Sequence, residues 1–249
     1  MSAHRLVGVG VGPGDPELVT VKGVRVLREA DVVLVPVMGD GASGQALPGR
    51  AEATVRAHVD AARVRRAVFA LDERAGVTPR REAAWDAAAA AVMAGFDEGA
   101  ATVAFATIGD PNVYSTFTYL AATVQRSRSQ VQVETVPGVT AVQDLAARSG
   151  TVLTEGEESL ALLPLTRDLG DLRAALDRFD TVVAYKGGRR LPEVLDVVRE
   201  AGRLAETVYG AALGLPDERI APAASLEGAG PYLSTLIVTR ARSGRGSRL

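Results

Sequence analysis

Short valine-rich runs alternate with segments of helical periodicity along this chain, and this alternation limits the folds that it can adopt. The runs Leu6–Gly10 and Asp31–Val37 are apolar, which is typical of strands buried on both faces of a parallel sheet. Between them, Val21, Val24 and Leu27 recur at helical spacing. The pattern predicts an opening strand–helix–strand unit.

The same alternation continues to the end of the chain. Further strands are expected at Arg66–Leu71, Thr102–Ala106, Val131–Val136, Ser159–Leu163, Thr181–Tyr185, Glu206–Ala212 and Ser234–Thr239. Helices are expected from the Thr78-Pro79 start through Ala83–Phe96, and at Ser115–Val124, Val139–Arg148, Leu169–Arg178 and Leu191–Ala201. Strands that alternate with helices twice over predict an α/β protein with two layered domains.

A polar stretch divides the 249 residues near the middle of the chain. Arg126–Gln130 is the best candidate for a linker, so we expect an N-terminal α/β domain over 1–126 and a C-terminal α/β domain over 127–249. Met38–Leu47 is predicted to be a loop, and the tail Ala241–Leu249 is predicted to be frayed and without function.

The composition excludes several classes of function. The chain has no cysteine and only two histidines, His4 and His58, which argues against thiolate chemistry, a histidine-based triad and a metal site. A formal net charge of −2 argues against nucleic acid as a partner. The sequence shows no apolar stretch of membrane-spanning length and no signal-peptide pattern, so we expect a cytoplasmic protein with no membrane partner.

The segment Gly8–Pro16 begins in the last residues of the first strand and continues beyond it, and its four glycines permit close backbone approach to a ligand. It is not a dinucleotide fingerprint: G-x-G-x-x-G from Gly8 needs a glycine at Pro13, and from Gly10 it needs one at Asp15. A phosphate-binding Walker loop is absent as well. A tight turn in which Asp15 caps a short helix explains the same residues without a ligand.

Two more loops of small residues follow predicted strands. Gly109–Ser115 follows the expected strand Thr102–Ala106, and Val136–Ala141 follows the next expected strand, Val131–Val136. Ligands bind at the carboxyl ends of strands in open α/β sheets, although helix capping by Asp110 or Ser115 accounts for the residue types equally well. Three such loops together favour one binding cleft.

The charged residues offer weaker candidates. Glu155 and Glu157–Glu158 lie in a charged loop and are expected to be solvated. The arginine pairs Arg80–Arg81 and Arg189–Arg190 have the chemistry to bind carboxylates, although they fit an exposed surface equally well.

In order and spacing, the three loops resemble those of the tetrapyrrole (corrin/porphyrin) methyltransferase family, whose members carry G-x-G-P-G-D, G-D-P and V-P-G segments. The resemblance extends from Leu6 to Thr239. It implies the class III methyltransferase fold and a homodimer. Each subunit would have two α/β domains and would bind S-adenosylmethionine (SAM) in the cleft between them. The expected product of the cofactor is S-adenosylhomocysteine (SAH).

Within the family, several segments are most similar to enzymes that methylate C20 of precorrin-2 or cobalt-precorrin-2 in cobalamin biosynthesis. They are Phe69-Ala70-Leu71-Asp72, Arg81–Trp85, Asp110–Thr116, Pro216–Ile220 and Pro231–Leu236. A different ring position, such as another precorrin or uroporphyrinogen III, stays open. So do a diphthamide-type protein methyltransferase and a nucleotide-binding module without enzyme activity.

The resemblance also assigns site residues. The expected cofactor contacts are Pro13, Ile108, Gly109, Asp110, Val113, Thr140, Ala141, Lys186 and Gly214. Tyr114 and Asp110 are candidates, by location, for the acceptor of the proton that leaves C20. The carboxylates of a tetrapyrrole substrate are expected to contact Arg80, Arg81, Arg189 and Arg190. A nucleophilic meso carbon and an activated methyl donor need alignment rather than a protein nucleophile, which fits a chain without cysteine.

Overall fold

The computed structural model describes residues 4–38, 49–70, 76–165, 168–244 and 246. The chain divides into two compact units, Met1–Thr140 and Ala141–Leu249. Each unit is built on one five-stranded sheet with helices packed against it. This confirms the expected α/β class.

The first unit contains a sheet whose strands are all parallel. Its elements are β1 (Arg5–Gly10), α1 (Val21–Glu29), β2 (Val32–Met38), α2 (Arg50–Arg56), β3 (Val64–Phe69), α3 (Pro79–Asp97), β4 (Thr102–Thr107), α4 (Phe117–Ser127) and β5 (Gln132–Val136). The strand order is β3-β2-β4-β1-β5. As a result, the loops that follow β4, β1 and β5 lie side by side at one edge of the sheet.

Alternating side chains of these strands fill two separate cores. Leu6 and Phe105 point to the face covered by α3 and α4, whereas Val7, Val9 and Ala104 point to the face covered by α1 and α2. All five are fully buried or nearly so. Burial on both faces explains why the strands read as continuous apolar runs.

Threonine side chains begin two of the helices in this unit. The Gly23 backbone N–H donates to Thr20 Oγ1 over 3.0 Å at the start of α1. The Arg81 N–H donates to Thr78 Oγ1 over 3.2 Å at the start of α3, where Pro79 occupies the first turn. The cap predicted at Thr78-Pro79 is therefore confirmed.

The second unit has a mixed sheet. Its elements are α5 (Ala141–Ser149), β6 (Leu160–Pro164), α6 (Gly170–Arg178), β7 (Thr181–Tyr185), α7 (Leu191–Glu200), β8 (Thr207–Ala211), β9 (Arg219–Pro222) and β10 (Ser234–Val238). The strand order is β6-β7-β10-β8-β9, in which β6 and β7 are parallel and β10 runs antiparallel to both of its neighbours. β9 is antiparallel to β8.

The core of the second unit also has two sides. Leu172 of α6 and Val194 of α7 pack with Leu236 on one face. On the other face, Leu145 of α5 packs with Ile237. The last strand thus contributes to both cores, because it lies at the centre of the sheet.

The division between the units falls after Thr140, whereas the sequence placed it near Arg126. The difference arises from β5, which pairs with β1 from Arg5 opposite Gln132 to Val9 opposite Val136. The polar stretch Arg126–Gln130 instead contains the end of α4 and connects that helix to β5 within the first unit.

Two expectations about charged residues and the tail are corrected. Glu158 is not solvated: its side chain is only 3% exposed and pairs with Arg242, with Arg242 Nε donating to Oε1 over 3.0 Å. That ion pair ties down the beginning of the tail that was expected to be frayed. Glu157 is exposed, as expected.

Some sequence predictions fall on residues that the structure does not describe. Met38 ends β2, but the rest of the predicted loop through Leu47 lies outside the described residues. The same holds for Leu71-Asp72 and for residues 245 and 247–249 of the tail. None of the helices in the described ranges combines the length and the apolarity that a bilayer crossing requires.

Candidate functional site

The three glycine loops predicted from the sequence meet in the first unit. They follow β1, β4 and β5, which are adjacent parallel strands, so the loops leave the sheet at the same edge. A Cβ atom added to Gly10 would lie 2.5 Å from the carbonyl oxygen of Gly109 and 2.6 Å from the backbone nitrogen of Gly138. A Cβ atom at Gly138 would lie 2.2 Å from that same oxygen. The loops therefore pack backbone against backbone, and only glycine fits at Gly10 and Gly138.

A hydrogen bond reinforces this contact. The Gly109 N–H donates to the Gly12 carbonyl oxygen over 2.8 Å, and both residues adopt left-handed backbone angles, with φ of 70° and 75°. The space beside Gly109 is more open, because the nearest atom to a Cβ built there is Thr140 Cα at 3.9 Å. The backbone at Gly109 thus leaves room for a ligand on the side that faces Thr140.

Asp110 links two of the loops through its carboxylate. Oδ2 accepts the Gly138 N–H over 3.1 Å, and Oδ1 accepts the Asn112 N–H over 2.8 Å. Asn112 in turn donates from its side chain to Thr135 Oγ1 over 3.3 Å. Asp110 therefore holds the loop after β4 against the loop after β5.

Tyr114 has an unusual backbone conformation for a residue with a side chain. Its φ is 51°, and its side chain stays partly exposed. Burial of the rest of the ring raises the pKa of the Tyr114 phenol above its ordinary value, so the phenol is protonated at neutral pH. Strained angles of this kind cluster at functional sites.

Contacts that the sequence did not reveal support the glycine loop after β1. Thr54 of α2 donates its hydroxyl to the Gly14 carbonyl oxygen over 3.1 Å, and His58 Nε2 lies 2.9 Å from the Pro16 carbonyl oxygen. Pro13 is buried in this loop. Asp15 accepts the Glu17 N–H over 2.8 Å, which is the capping role that the turn predicted. No pattern in the sequence around Thr54 pointed to this support.

The later candidates lie at one edge of the second sheet, where β7 and β8 end and β10 begins. The Lys186 N–H donates to the Ser234 carbonyl oxygen over 3.0 Å, and Lys186 has a φ of 65°. Gly214 has a φ of 72° and Ala212 a φ of 51°. Ala212 was not a candidate from the sequence, because alanine gives no sign of a left-handed conformation.

The four arginines proposed for carboxylate binding have different surroundings. Arg190 pairs with Glu193 in the same turn, with Nε donating to Oε2 over 2.9 Å. Arg189 places its guanidinium 5.3 Å from the centre of the Tyr232 ring. In the first unit, Arg80 and Arg81 occupy the first turn of α3, where Arg81 Nη1 donates to the Gly76 carbonyl oxygen over 2.7 Å.

The structure thus brings together the predicted residues in two groups. The first group lies around the joined glycine loops of the first unit: Pro13, Ile108, Gly109, Asp110, Val113, Tyr114 and Thr140. The second group, Lys186, Arg189, Arg190 and Gly214, follows strand ends of the second sheet, while Ala141 begins α5. Over the described ranges, no three His, Cys, Asp or Glu residues are grouped in a way that would hold a metal ion.

The sequence also matches known proteins. The pattern of the family described as Tetrapyrrole (Corrin/Porphyrin) Methylases covers residues 5–227. A precorrin-2 C(20)-methyltransferase of a Sinorhizobium species is 34% identical over 213 residues, which is 82% of this chain and 82% of that protein. The cobalamin biosynthesis protein CobIJ of Mycobacterium bovis is 33% identical over 252 residues and 97% of this chain, but the match spans only 47% of CobIJ.

A solved structure supports the same relationship. The uroporphyrin-III C-methyl transferase of Thermus thermophilus, in complex with S-adenosyl homocysteine, has a TM-score of 0.59 and 26% identity, and the match covers 94% of this chain and 96% of that one. The family pattern extends over all three glycine loops and over both sheets as far as β9. The chain therefore belongs to the tetrapyrrole methylase family.

Proposed function

We propose that this protein is a SAM-dependent C-methyltransferase that acts on C20 of precorrin-2 or cobalt-precorrin-2. The observation that carries the proposal is the backbone packing of Gly10, Gly109 and Gly138 at the carboxyl edge of the first sheet. It joins the three motifs that define the family. The Sinorhizobium relative, at 34% identity, supports the ring position.

The residues at this edge fit the proposed cofactor. The open space beside Gly109, where the nearest atom to a built Cβ is Thr140 Cα at 3.9 Å, gives an adenosine or amino acid moiety room to approach the backbone. We propose the following contacts: Pro13, Ile108, Gly109, Asp110, Val113, Thr140, Ala141, Lys186 and Gly214. When bound, SAM supplies a methyl group already activated by its positive sulfur, so the chain needs no nucleophile of its own.

The work of the chain is then to position the substrate and to exclude water. With SAM bound, the residues at this edge would hold C20 of the substrate next to the methyl group that SAM supplies. The proton on C20 must leave afterwards. We propose Asp110 over Tyr114 as its acceptor, because each carboxylate oxygen can accept a further hydrogen bond, whereas the Tyr114 phenol is protonated at neutral pH.

We further propose that arginines bind the peripheral carboxylates of the tetrapyrrole. Arg80, Arg81, Arg189 and Arg190 are the candidates, and Arg189 is favoured because it pairs with no carboxylate among the described residues. Its guanidinium rests on Tyr232 and keeps its N–H groups for an anion. We also propose that the protein acts in cobalamin biosynthesis as a homodimer, as the family resemblance implies, and that it acts in the cytoplasm.

A second ring position is the alternative that an observation supports. The Thermus thermophilus structure is of a uroporphyrin-III C-methyl transferase, and it shares the fold and 26% of its residues with this chain. Uroporphyrinogen III carries peripheral carboxylates like those of precorrin-2, so carboxylate binding does not separate the two substrates. The position of the transferred methyl group distinguishes the two activities.

The deciding experiment uses the purified chain with SAM labelled by carbon-13 in its methyl group. Precorrin-2, its cobalt complex and uroporphyrinogen III are incubated separately, and the labelled carbon is located by NMR. We expect one new methyl group at C20 of precorrin-2 or of its cobalt form. A methyl group at another position would overturn the C20 assignment, and a chain that binds neither SAM nor SAH would overturn the enzyme function.

A further inference from the structure

An ion pair in the second unit holds a loop that the proposed cofactor needs. Arg148, in the last turn of α5, donates from Nη1 and Nη2 to the two carboxylate oxygens of Glu218, each over 2.5 Å. The pair joins residues that lie 70 positions apart in the chain. It is partly shielded from water, because the Glu218 side chain is 22% exposed. Two parallel hydrogen bonds of this kind fix both the distance and the orientation of the carboxylate.

The same carboxylate reaches the loop after β8. Glu218 Oε2 also accepts the Gly214 N–H over 2.7 Å. Glu218 lies within Pro216–Ile220, which the sequence singled out by resemblance and to which the proposed function gives no role. One side chain thus connects α5 to the backbone of Gly214.

The loop needs such support, because its backbone is held in an unfavourable conformation. Ala212 and Gly214 both have left-handed angles, and alanine adopts such angles at a cost in energy. Two backbone hydrogen bonds also shape the loop: the Leu215 N–H donates to the Ala212 carbonyl oxygen and the Glu218 N–H to the Leu215 carbonyl oxygen, each over 3.0 Å. Without the carboxylate, the Gly214 N–H would lose its partner and the loop could relax.

The first unit uses the same arrangement at the glycine loops. There the Asp110 carboxylate accepts the N–H of Gly138, just as Glu218 accepts the N–H of Gly214. In both units an acidic side chain fixes a glycine backbone in a loop that follows a strand end. The repetition favours a common role in preparing backbone groups for a ligand.

We propose that Glu218 and Arg148 are positioning residues, which hold the Ala212–Gly214 backbone in the shape that binds SAM and SAH. The inference rests on the proposed function, because it needs Gly214 to contact the cofactor. Neither side chain has to touch the cofactor itself. We expect substitutions of Glu218 or Arg148 to weaken the affinity for the cofactor. The rate of methyl transfer at saturating cofactor is expected to be retained.

The test measures the Kd of SAH by isothermal titration calorimetry on the purified full chain. Glu218→Ala is expected to raise the Kd by about tenfold or more, the effect expected when a charged hydrogen-bond partner is removed. Arg148→Met should raise it as well, and Arg148→Lys should recover part of the loss because lysine keeps the charge. Glu218→Gln keeps an acceptor for the Gly214 N–H. It should therefore bind SAH with a lower Kd than Glu218→Ala does.

The matched control is Glu200→Ala. Glu200 pairs with Arg173 between α7 and α6 of the same unit, so the variant makes the same change of side chain and charge without touching the loop. Circular dichroism melts establish that each variant is folded at the temperature of the titration. A purely structural ion pair would lower the melting temperature and leave the Kd of the folded protein alone.

The outcomes separate this inference from the proposed function. If the wild type binds SAH and Glu218→Ala and Arg148→Met bind as well as Glu200→Ala does, the positioning role is overturned and the proposed function stands. If the wild type binds neither SAH nor SAM, both are overturned. Loss in Glu218→Ala and Arg148→Met, with partial recovery in Arg148→Lys, supports the positioning role.

Discussion

Gly138 tolerates no side chain, because the carbonyl oxygen of Gly109 lies 2.2 Å from the place that a Cβ atom would occupy. In Gly138→Ala the loops after β4 and β5 must separate, and the hydrogen bond from the Gly138 N–H to Asp110 is disturbed. We expect a loss of about 1–3 kcal/mol in the free energy of unfolding. We also expect at least a tenfold weaker affinity for SAH, measured by urea unfolding and calorimetry.

Gly95→Ala is the control for this prediction. Gly95 lies inside α3, and a Cβ atom there would meet only ordinary contacts, the nearest at 3.5 Å from Val103. Alanine is favoured over glycine in a helix, so this variant should be as stable as the wild type or more stable. Equal affinities for SAH in Gly138→Ala and Gly95→Ala would show that the loops do not bind the cofactor.

Arg189→Met tests the binding of substrate carboxylates. The variant keeps the bulk of the side chain over Tyr232 but removes the charge. We expect the KM for the tetrapyrrole to rise by about tenfold, while the Kd for SAH stays the same. Steady-state kinetics and calorimetry measure the two quantities.

Arg178→Met is the matched variant for Arg189→Met. Arg178 lies over Phe179, 5.6 Å from the ring centre, at the end of α6. It makes the same kind of contact as Arg189 but precedes β7, whereas Arg189 follows that strand. An equal rise of KM in both variants would mean that total charge, rather than a carboxylate site at Arg189, controls affinity.

Single residues differ in how well the sequence reveals them. The glycines at positions 10, 109 and 138 were predicted, because strand ends that require close backbone contact favour glycine. The left-handed conformation of Ala212 was not predicted. The surrounding fold imposes it, and alanine as a residue type does not indicate it. The role of Asp110 was only partly visible: helix capping was expected, but a bond to the distant Gly138 was not.

Among the elements, α2 is held to β3 by a buried carboxylate. Glu52 is 3% exposed and accepts hydrogen bonds from Arg66 on β3 and Arg56 on its own helix. The hydrogen bond from Arg66 is the main cause that holds the pKa of Glu52 below its ordinary value, although desolvation acts in the opposite direction. The same helix supplies Thr54 to the glycine loop.

This lowered pKa predicts how stability depends on pH. The unfolded chain binds a proton at Glu52 near pH 4.5, whereas the folded chain binds it only at lower pH. The stability from this group is therefore complete above pH 4.5 and is lost as pH falls through the folded pKa. Glu52→Gln should lower the free energy of unfolding at pH 7 by about 1–3 kcal/mol and flatten its decline in acid.

Urea unfolding between about pH 3 and pH 7 measures the effect, with Glu29→Gln as the control. Glu29 pairs with Arg25 one turn away in α1, and both side chains are more than half exposed, so this pair should contribute little at any pH. An acid decline in Glu52→Gln as steep as in the wild type would contradict the prediction.

The sequence predicted the strands and helices whose order of apolar and polar residues follows from the burial of their side chains. The expected strands and long helices are present within a few residues of their predicted ends. β9 was missed because its four residues include Arg219 and Pro222 and none of them is buried. α2 was missed because Gly49 precedes it without a side-chain cap. The antiparallel direction of β10 was not predicted, since a fully buried strand has the same pattern in either direction.

For the whole molecule, cofactor binding should stabilise the folded state. A ligand at about 100 times its Kd adds about 2.7 kcal/mol. For a chain of this size we expect SAH to raise the Tm by about 5–10 °C. Thermal unfolding with increasing SAH measures the shift, and Gly138→Ala should show a much smaller one. An unchanged Tm of the wild type at millimolar SAH would contradict the proposed cofactor.

The division into two α/β units was foreseeable from the alternation of strands and helices, but its position was not. Sequence polarity marked residues 126–130, whereas the pairing of β5 with β1 extends the first unit to Thr140. These two strands lie more than a hundred residues apart in the chain, so local composition cannot predict that they pair.

The strand order also predicts when each sheet can fold during synthesis on the ribosome. The first sheet has all of its strands once Val136 has emerged, so we expect the N-terminal half to fold while translation continues. The second sheet must wait for Ser234–Val238, because this final strand is inserted between β7 and β8. Until then, the backbone N–H and C=O groups along the edges of β7 and β8 that face β10 lack their strand partner in the nascent polypeptide, so we expect a chaperone to bind there.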